Sequence, residues 1–269
     1  MSELLSMFSY HFVQRAMLVG ILVSLCAALL GVSLVLKRYS LIGDGLSHVG
    51  FGALAVASAF GLAPLSVAVP VVVAAAILLL RLSESSRIKG DSAIAIISSS
   101  ALAIGVIVVS VTTGMNTEVS SYMFGSILSL SRSDAVLSAV LSVVVLALFV
   151  LFYPRIFGVT FDETFSRATG TKTELYNMLI AVLTAVTVVL GMRMMGALLI
   201  SSLIIFPALS AMRLCRSFFR VVLTAAGISV GCFVLGFVAS YALETPTGAS
   251  IVVADLLCFA LCSLLGKKS

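Results

Sequence analysis

Charged residues are scarce in this sequence. Only 10% of its 269 residues are Asp, Glu, Lys or Arg, whereas 61% are hydrophobic. A soluble domain of this length has about a quarter of its residues charged, so this chain has too little polar surface to cover a water-soluble globule. Apolar segments extend from one end of the sequence to the other, and we therefore predict a single membrane domain, residues 1–269.

Several motifs are missing as well. The sequence has no G-x-x-x-x-G-K-[ST] segment, which excludes ATP hydrolysis through a P-loop, and no H-E-x-x-H segment of a zinc protease. Its five cysteines show no paired spacing that would indicate a metal or disulfide framework. The net charge of +5 comes from basic residues that lie singly between apolar runs, a pattern that favours loops at a membrane surface over a nucleic-acid site.

Alternation of apolar and polar residues, which a membrane β-barrel requires, is also absent. Continuous apolar runs such as 67–80 and 135–152 favour helices, whose backbone groups are satisfied within each segment. About 20 apolar residues cross the hydrocarbon as a helix. The fold class predicted is therefore an all-α polytopic transmembrane bundle of about eight to nine spans. Its candidate spans are 12–36, 41–61, 64–82, 92–113, 134–153, 174–192, 195–212, 221–242 and 249–266. Spans 41–61 and 195–212 contain charge, glycine or proline, so either could be a broken or re-entrant helix.

The basic residues predict the orientation. With nine spans and the C-terminus inside, 13 Lys and Arg residues lie on the inside and 3 on the outside, namely Arg15, Arg132 and Arg193. Inner loops carry the excess of positive charge in membrane proteins. We therefore predict a cytoplasmic C-terminus. The longest inner loop is 154–172, in which the segment FDETFSRATG predicts a short surface helix with Asp162 and Glu163 near its start and Gly170 at its end.

Asp44 and His48 are the main candidates for chemistry within a span. Ionisable groups are costly there and each is a functional hypothesis. Their spacing of four residues puts both side chains on one face of a helix. A carboxylate and an imidazole there could bind a small divalent cation such as zinc or manganese. The alternative is structural, with Asp44 as a helix cap and His48 at the membrane interface.

Asp255, in the last predicted span, is a weaker candidate. It could bind or attract a cation. The alternative is a buried carboxyl group that is hydrogen-bonded to a neighbouring helix.

The motifs resemble those of one family, the permease subunits of metal-ion ABC importers, which serve zinc, manganese or iron with a cluster-type binding protein. The blocks that carry the resemblance follow the family's order and cover nearly the whole chain. They are LGVSLVLKRYSLIGDGLSHVGFGALAV, YMFGSILSLSRSD, FDETFSRATGTKTELYNM, MRMMGALLISSLIIFPALSAMRL and LETPTGASIVV. The GD-x-LSH block is among the most specific.

The resemblance implies a type II importer permease that forms a homodimer with its pore at the interface. It implies two copies of a partner ATPase, an extracytoplasmic metal-binding protein and a location in the bacterial cytoplasmic membrane. No resident cofactor is expected, because the zinc or manganese ion is cargo. Asp44 and His48 match the family's metal-path residues, whereas Asp255 replaces an apolar residue. The region 154–172 matches the part that contacts the ATPase, and we assign this coupling role to Phe161, Asp162, Glu163, Phe165, Arg167 and Gly170.

Three other functions compete with this interpretation. A permease for a siderophore or cobalamin has less need of Asp44 and His48. A secondary metal transporter usually has an inverted repeat with matched broken helices, and no such repeat is visible. An intramembrane enzyme needs a catalytic set, and the sequence shows none.

Overall fold

In a computed structural model, the chain forms a bundle of helices. The structure describes residues 10–84, 90–112, 121–123, 125 and 131–266. Within these residues we number eleven helices in chain order: α1 His11–Leu36, α2 Ile42–Ala59, α3 Pro64–Glu84, α4 Gly90–Thr112, α5 Arg132–Leu151, α6 Tyr153–Phe161, α7 Glu163–Ala168, α8 Thr173–Met195, α9 Ala197–Leu214, α10 Phe218–Leu243 and α11 Thr247–Gly266.

Seven of the described helices are long and apolar enough to cross a membrane, namely α1, α3, α4, α5, α8, α10 and α11. This confirms an all-helical membrane protein and seven of the nine predicted spans. The two spans that contain charge, glycine or proline fold as α2 and α9, which are not among the seven. Both are continuous helices of 18 residues, each about 27 Å long. The count of eight to nine spans stays a prediction.

Helices α1 and α8 form the interior of the bundle. Two-thirds of the apolar stretch of each is buried, compared with 22% in α4 and α11. Around α1 pack α5, α8, α9 and α10, while α2 lies between α3, α4, α8 and α9. An all-apolar helix surrounded by other helices suits the centre of a membrane bundle.

The predicted inner loop 154–172 is mostly helical, which the sequence analysis missed. Helix α6 starts directly after α5, with Pro154 in its first turn, where proline's missing N–H costs no hydrogen bond. The short helix expected in FDETFSRATG forms as α7. Asp162 is its N-cap and accepts a hydrogen bond from the Phe165 N–H at 2.8 Å. Gly170, with φ of +85°, follows the end of α7, as expected for a glycine stop.

Two ion pairs, one partly buried and one more deeply buried, mark the opposite ends of the bundle. At one end, Lys37 of α1 meets Glu163 of α7 at 3.0 Å. At the other, Arg193 of α8 meets Asp134 of α5 at 2.9 Å, and its guanidinium lies 5.2 Å from the ring centre of Tyr122. Most of the segment that joins α4 to α5 lies outside the described residues.

Candidate metal site

The helix that carries Asp44 begins inside the bundle. Ile204 of α9 is the nearest neighbour of Gly43 in the first turn of α2. The backbone carbonyl of Ile204 also lies against Gly31 of α1, where a Cβ atom would overlap it. Gly31 precedes the end of α1 by five residues. Ile204 of α9 therefore contacts both the last turns of α1 and the first turn of α2, and Asp44 lies near the point where these three helices meet.

Asp44 and His48 face each other, as their spacing predicts. Nε2 of His48 lies 3.7 Å from Oδ2 of Asp44, one turn along α2. The Ser201 hydroxyl of α9 donates a hydrogen bond to Oδ1 of Asp44 at 3.2 Å. The Asp44 side chain is 49% exposed and that of His48 is 22% exposed. Both side chains are thus partly exposed at the surface of this chain, beside the helices α4 and α9.

Close contact between α2 and α4 builds one wall of the site. A Cβ atom on Gly52 would lie 2.5 Å from the Ala101 carbonyl oxygen, and one on Gly105 would lie 2.7 Å from the Cα atom of Gly52. Only glycine allows backbones to approach so closely. The approach brings α4 alongside Asp44 and His48 and leaves a cavity of about 270 Å³ between the helices. Its polar lining comes from Asp44, His48, Asp91, Ser98 and Ser99.

The cluster can supply two ligands to one divalent cation. Two ligands bonded at about 2.1 Å to the same ion are at most roughly 4.2 Å apart. The 3.7 Å separation of the Asp44 and His48 atoms fits within that limit. Among the described residues, no group of three His, Cys, Asp or Glu side chains could hold a metal ion. A partial ligand set of this kind suits an ion in transit, since passage requires binding that is weak enough for release.

The alternative role of Asp44 as a helix cap is wrong. The N-cap of α2 is Leu41, which makes no side-chain capping bond, and Asp44 lies in the first turn of the helix. Its carboxylate is directed to Ser201 and His48. A negative charge there still interacts favourably with the helix dipole, but capping does not account for its position.

Asp255 lies elsewhere. It is only 1% exposed, on the side of α11 that packs against α9 and α10, and it is not among the residues that line the Asp44 cavity. The Cys232 thiol of α10, a weak hydrogen-bonding group, lies beside its carboxyl group. The alternative of a carboxyl group hydrogen-bonded to a neighbouring helix stays a prediction. The structure does not bring Asp255 together with Asp44 and His48.

The predicted coupling residues lie together on α6, α7 and the turn that follows. Phe161 and Phe165 are 73% and 66% exposed, and the Arg167 side chain is 65% exposed. Glu163 instead faces inward, towards Lys37 and Asn177. Its partial burial would raise its pKa, but hydrogen bonds from Lys37 and Asn177 and the charges of Lys37 and Arg167 outweigh burial and lower that pKa.

Sequence analysis missed the hydrogen-bond partner of Asp44, Ser201, and two polar residues that line the cavity, Ser98 and Asp91. Ser201 lies in the apolar run LLISSLI, and Ser98 lies in the run ISSS. Small hydroxyl residues are common in membrane helices as packing residues, so nothing in the sequence separates these two from the rest. Asp91 lies one residue before the predicted span 92–113, whereas in the structure it lies in the first turn of α4 and lines the cavity. Only the packing of α2 against α4 and α9 identifies these side chains.

Known proteins resemble this chain over almost its whole length. The model of the ABC 3 transport family matches residues 9–266. The chain belongs to the ABC 3 transport family. It is 29% identical over 259 residues to the manganese import system permease protein ScaB of Streptococcus gordonii, covering 96% of this chain and 93% of that one. It is 30% identical over 267 residues to a probable iron transport system membrane protein of Haemophilus influenzae, covering 98% and 97% of the two chains.

A solved structure extends this likeness to three dimensions. A chain of PsaBC from Streptococcus pneumoniae in complex with Fab superposes with a TM-score of 0.87 at 29% identity, covering 97% of this chain and 94% of that chain. The resemblance to permeases of metal-ion ABC importers is thus confirmed. As a member of the ABC 3 transport family, the protein is a multi-pass membrane protein of a transport system.

Proposed function

We propose that this chain is the permease subunit of an ABC importer for divalent metal ions, manganese or zinc, and that ATP hydrolysis on a partner subunit drives it. The observation that carries the proposal is the pairing of Asp44 with His48 inside an apolar bundle, with a cavity beside them. Ionisable groups in such a place are costly and usually mark an ion path or a functional partner.

The chemistry of the pair favours a bare ion as the cargo. An ion that enters the bundle loses part of its hydration shell, and the oxygen of Asp44 and the nitrogen of His48 replace some of the lost water. The cavity, about 270 Å³, is smaller than the roughly 300–1,000 Å³ of pockets that enclose drug-sized ligands. A cavity of this size with two metal-ligating side chains in its lining favours a bare ion over a siderophore or cobalamin.

The two ligands favour a bare ion as the cargo, but they do not favour one metal over another. Imidazole nitrogen suits zinc, carboxylate oxygen suits manganese, and a mixed pair accepts both. Relatives named for manganese and for iron support a first-row divalent ion. We propose manganese or zinc as the cargo, with ferrous iron as the competitor to be tested beside them.

The remaining partners are proposed from the family. A second copy of the permease would complete the pore, and two ATPase subunits would bind, one at α6 and α7 of each copy. An extracytoplasmic binding protein would deliver the ion. The end that carries Lys37 and Glu163 would face the cytoplasm, in agreement with the 13 basic residues assigned to that side. Movement of the ATPases would then open the Asp44 cavity alternately to the two sides.

Uptake by the complete complex tests the proposal. The permease, its ATPase and its binding protein are reconstituted in proteoliposomes, and radioactive manganese, zinc and ferrous iron are supplied one at a time. We expect uptake of manganese or zinc that requires ATP and the binding protein. Uptake of a metal chelate but of no free ion would overturn the proposal in favour of a chelate permease.

Topology is tested separately by single cysteines in a background without the five native ones. Cysteines at Thr169 and Ser217, both exposed at the proposed inner end, should resist an impermeant thiol reagent in intact cells. A cysteine at Glu244, exposed at the end of α10 and at the opposite end, serves as the matched control and should react. Rapid labelling at Thr169 with none at Glu244 would reverse the orientation.

A further inference from the structure

Lys37, at the end of α1, is an enclosed basic side chain with two polar partners. It is 9% exposed, and its Nζ atom donates to Oε2 of Glu163 at 3.0 Å and to Oδ1 of Asn177 at 2.6 Å. Nδ2 of Asn177 in turn donates to Oε1 of Glu163 at 3.2 Å. The three side chains therefore form a closed ring in which each is bonded to both others. A buried ammonium group requires such partners, since leaving it unpaired is very costly.

The ring joins three separate parts of the chain. Lys37 ends α1, Glu163 begins α7, and Asn177 lies in the second turn of α8, with sequence separations of 126 and 140 residues from Lys37. Helix α7 has only six residues and cannot be stable by itself. Its other polar tie to the bundle is weaker: the exposed Arg167 donates to the Thr173 hydroxyl at 3.3 Å. The ring is thus the main buried polar attachment of α7 among the described residues.

The opposite face of α7 is free to receive a partner. Phe165 is exposed on it, and Phe161, the last residue of α6, is exposed nearby in the region proposed to bind the ATPase. Large exposed aromatic side chains beside a charged one are typical anchors of a protein interface. Helix α7 therefore has an outer side that would follow the ATPase and an inner side that is tied to α1 and α8.

A rigid turn continues from Lys37 to the metal site. The N–H of Tyr39 donates to the Leu34 carbonyl at 2.8 Å, and the N–H of Arg38 donates to the Val35 carbonyl at 3.1 Å. Arg38 has φ of +62°. This pair of bonds is the Schellman motif that ends a helix in a fixed geometry. Helix α2 starts three residues after Tyr39, and Asp44 lies in its first turn.

We infer that Lys37, Glu163 and Asn177 form a clamp that makes α7 move together with α1 and α8, and so transmits ATPase movement to the helix that carries Asp44. The inference rests on the proposed function. Lys37 and Glu163 are positioning residues in it, because they act through Asp44 and do not touch the ion. Glu163 remains ionised at neutral pH, since its pKa is lowered. The stability that its charge contributes is lost only as the pH falls through that lowered pKa.

The clamp is tested in the complete complex with two conservative variants, Glu163→Gln and Lys37→Met, and with the reversed pair Lys37→Glu with Glu163→Lys. The number of ATP molecules hydrolysed per ion imported is measured for each. We expect each single variant to hydrolyse ATP and to require at least fivefold more ATP per ion. The reversed pair should recover at least half of the coupling. Glu174→Gln, the same chemical change at an exposed residue of α8, is the matched control and should keep the wild-type ratio.

Hydrogen exchange of the α7 amides in the isolated permease supplies a second measurement that does not depend on transport. Faster exchange of α7 in Glu163→Gln, with no change in α10, supports the clamp. Unchanged α7 exchange, or a wild-type ATP ratio in both single variants, overturns it. If α7 exchange rises but the wild-type complex shows no ATP-dependent uptake, the clamp is supported and the proposed function is overturned. If the reversed pair needs as much ATP per ion as the single variants, the ring is only a structural contact, and its coupling role is overturned.

Discussion

Asp44 and Asp255 are both carboxylates within apolar helices, and their surroundings are opposite. The Asp44 side chain is 49% exposed, lines a cavity, and has Ser201 and His48 as neighbours. Asp255 is 1% exposed, and its polar neighbour is the Cys232 thiol of α10, a weak hydrogen-bonding group.

The difference distinguishes a carboxylate that could take an ion from water and release it again from one that such an ion could not reach. An ion path needs ligands that water can reach, because the ion must arrive with its hydration shell and leave with it again. Asp44 meets that requirement, whereas Asp255 is sealed between helices. A carboxylate in an apolar segment is thus only a first indication of function, and access to water decides between the two.

The largest effect is expected from Asp44→Asn. This change keeps the size of the side chain and removes its charge, so the ion loses its strongest ligand. We expect metal uptake to fall by at least about tenfold, equivalent to roughly 1.4 kcal/mol, while the complex still assembles. Asp255→Asn is the matched control, because it makes the same change in another helix. Equal loss of uptake in Asp44→Asn and Asp255→Asn would show that the two carboxylates do not differ in their role in uptake.

The next largest effect is expected from His48→Gln. Glutamine retains hydrogen-bonding capacity but replaces the imidazole nitrogen with a poor metal ligand. The loss should be greater for zinc than for manganese, since imidazole suits zinc and oxygen ligands suit manganese.

Competition between the two metals during uptake measures this shift, with His11→Gln as the control at the first residue of α1. The two histidines are the only ones in the chain. An unchanged preference between zinc and manganese in His48→Gln would remove the imidazole from the path.

Much of this fold can be predicted from the sequence, because it depends on long apolar segments. Hydropathy alone indicated the seven helices that are long enough to span a membrane. The pair Asp44–His48 was also predictable, since four residues make one helical turn. Helix α6 was not, because a proline directly after a span favours a loop as well as a new helix, and packing against α8 decides between them.

The rest of the candidate site depends on contacts between helices. Ser201 is 157 residues away from Asp44 along the chain, and no periodicity within α9 indicates which helix it faces. The same holds for the ring around Lys37, where the partners Glu163 and Asn177 come from two other helices. Asp255 shows the converse limit, because its sequence context indicated a possible ligand and only its burial argues against one.

A smaller effect is expected from Ser201→Ala. The change removes one hydrogen bond to the half-exposed Asp44 carboxylate, and a typical hydrogen bond contributes about 0.5–1.5 kcal/mol. We expect the KM for metal uptake to rise about threefold, because the carboxylate is held less firmly. Ser202→Ala is the matched control, since that hydroxyl donates to the Leu199 carbonyl of its own helix. Equal changes in both variants would show that Ser201 acts only through helix packing.

The smallest effect on uptake is expected at Asp255, where the comparison predicts a change in stability instead. A buried carboxyl group whose polar neighbour is only a thiol, a weak hydrogen-bond donor, costs about 1–3 kcal/mol relative to an apolar residue of similar shape. Asp255→Leu should therefore raise the thermal unfolding temperature of the purified permease. Uptake should stay within about twofold of the wild type, a free-energy difference of about 0.4 kcal/mol. Asp255→Asn separates the two causes, because it removes the charge and keeps a polar group in the same place. If Asp255→Asn stabilises as much as Asp255→Leu, the cost lies in the charge; if only leucine stabilises, it lies in the polar group. A loss of uptake in both variants, with no loss of folded protein, would instead place Asp255 on the ion path and end the distinction between the two carboxylates.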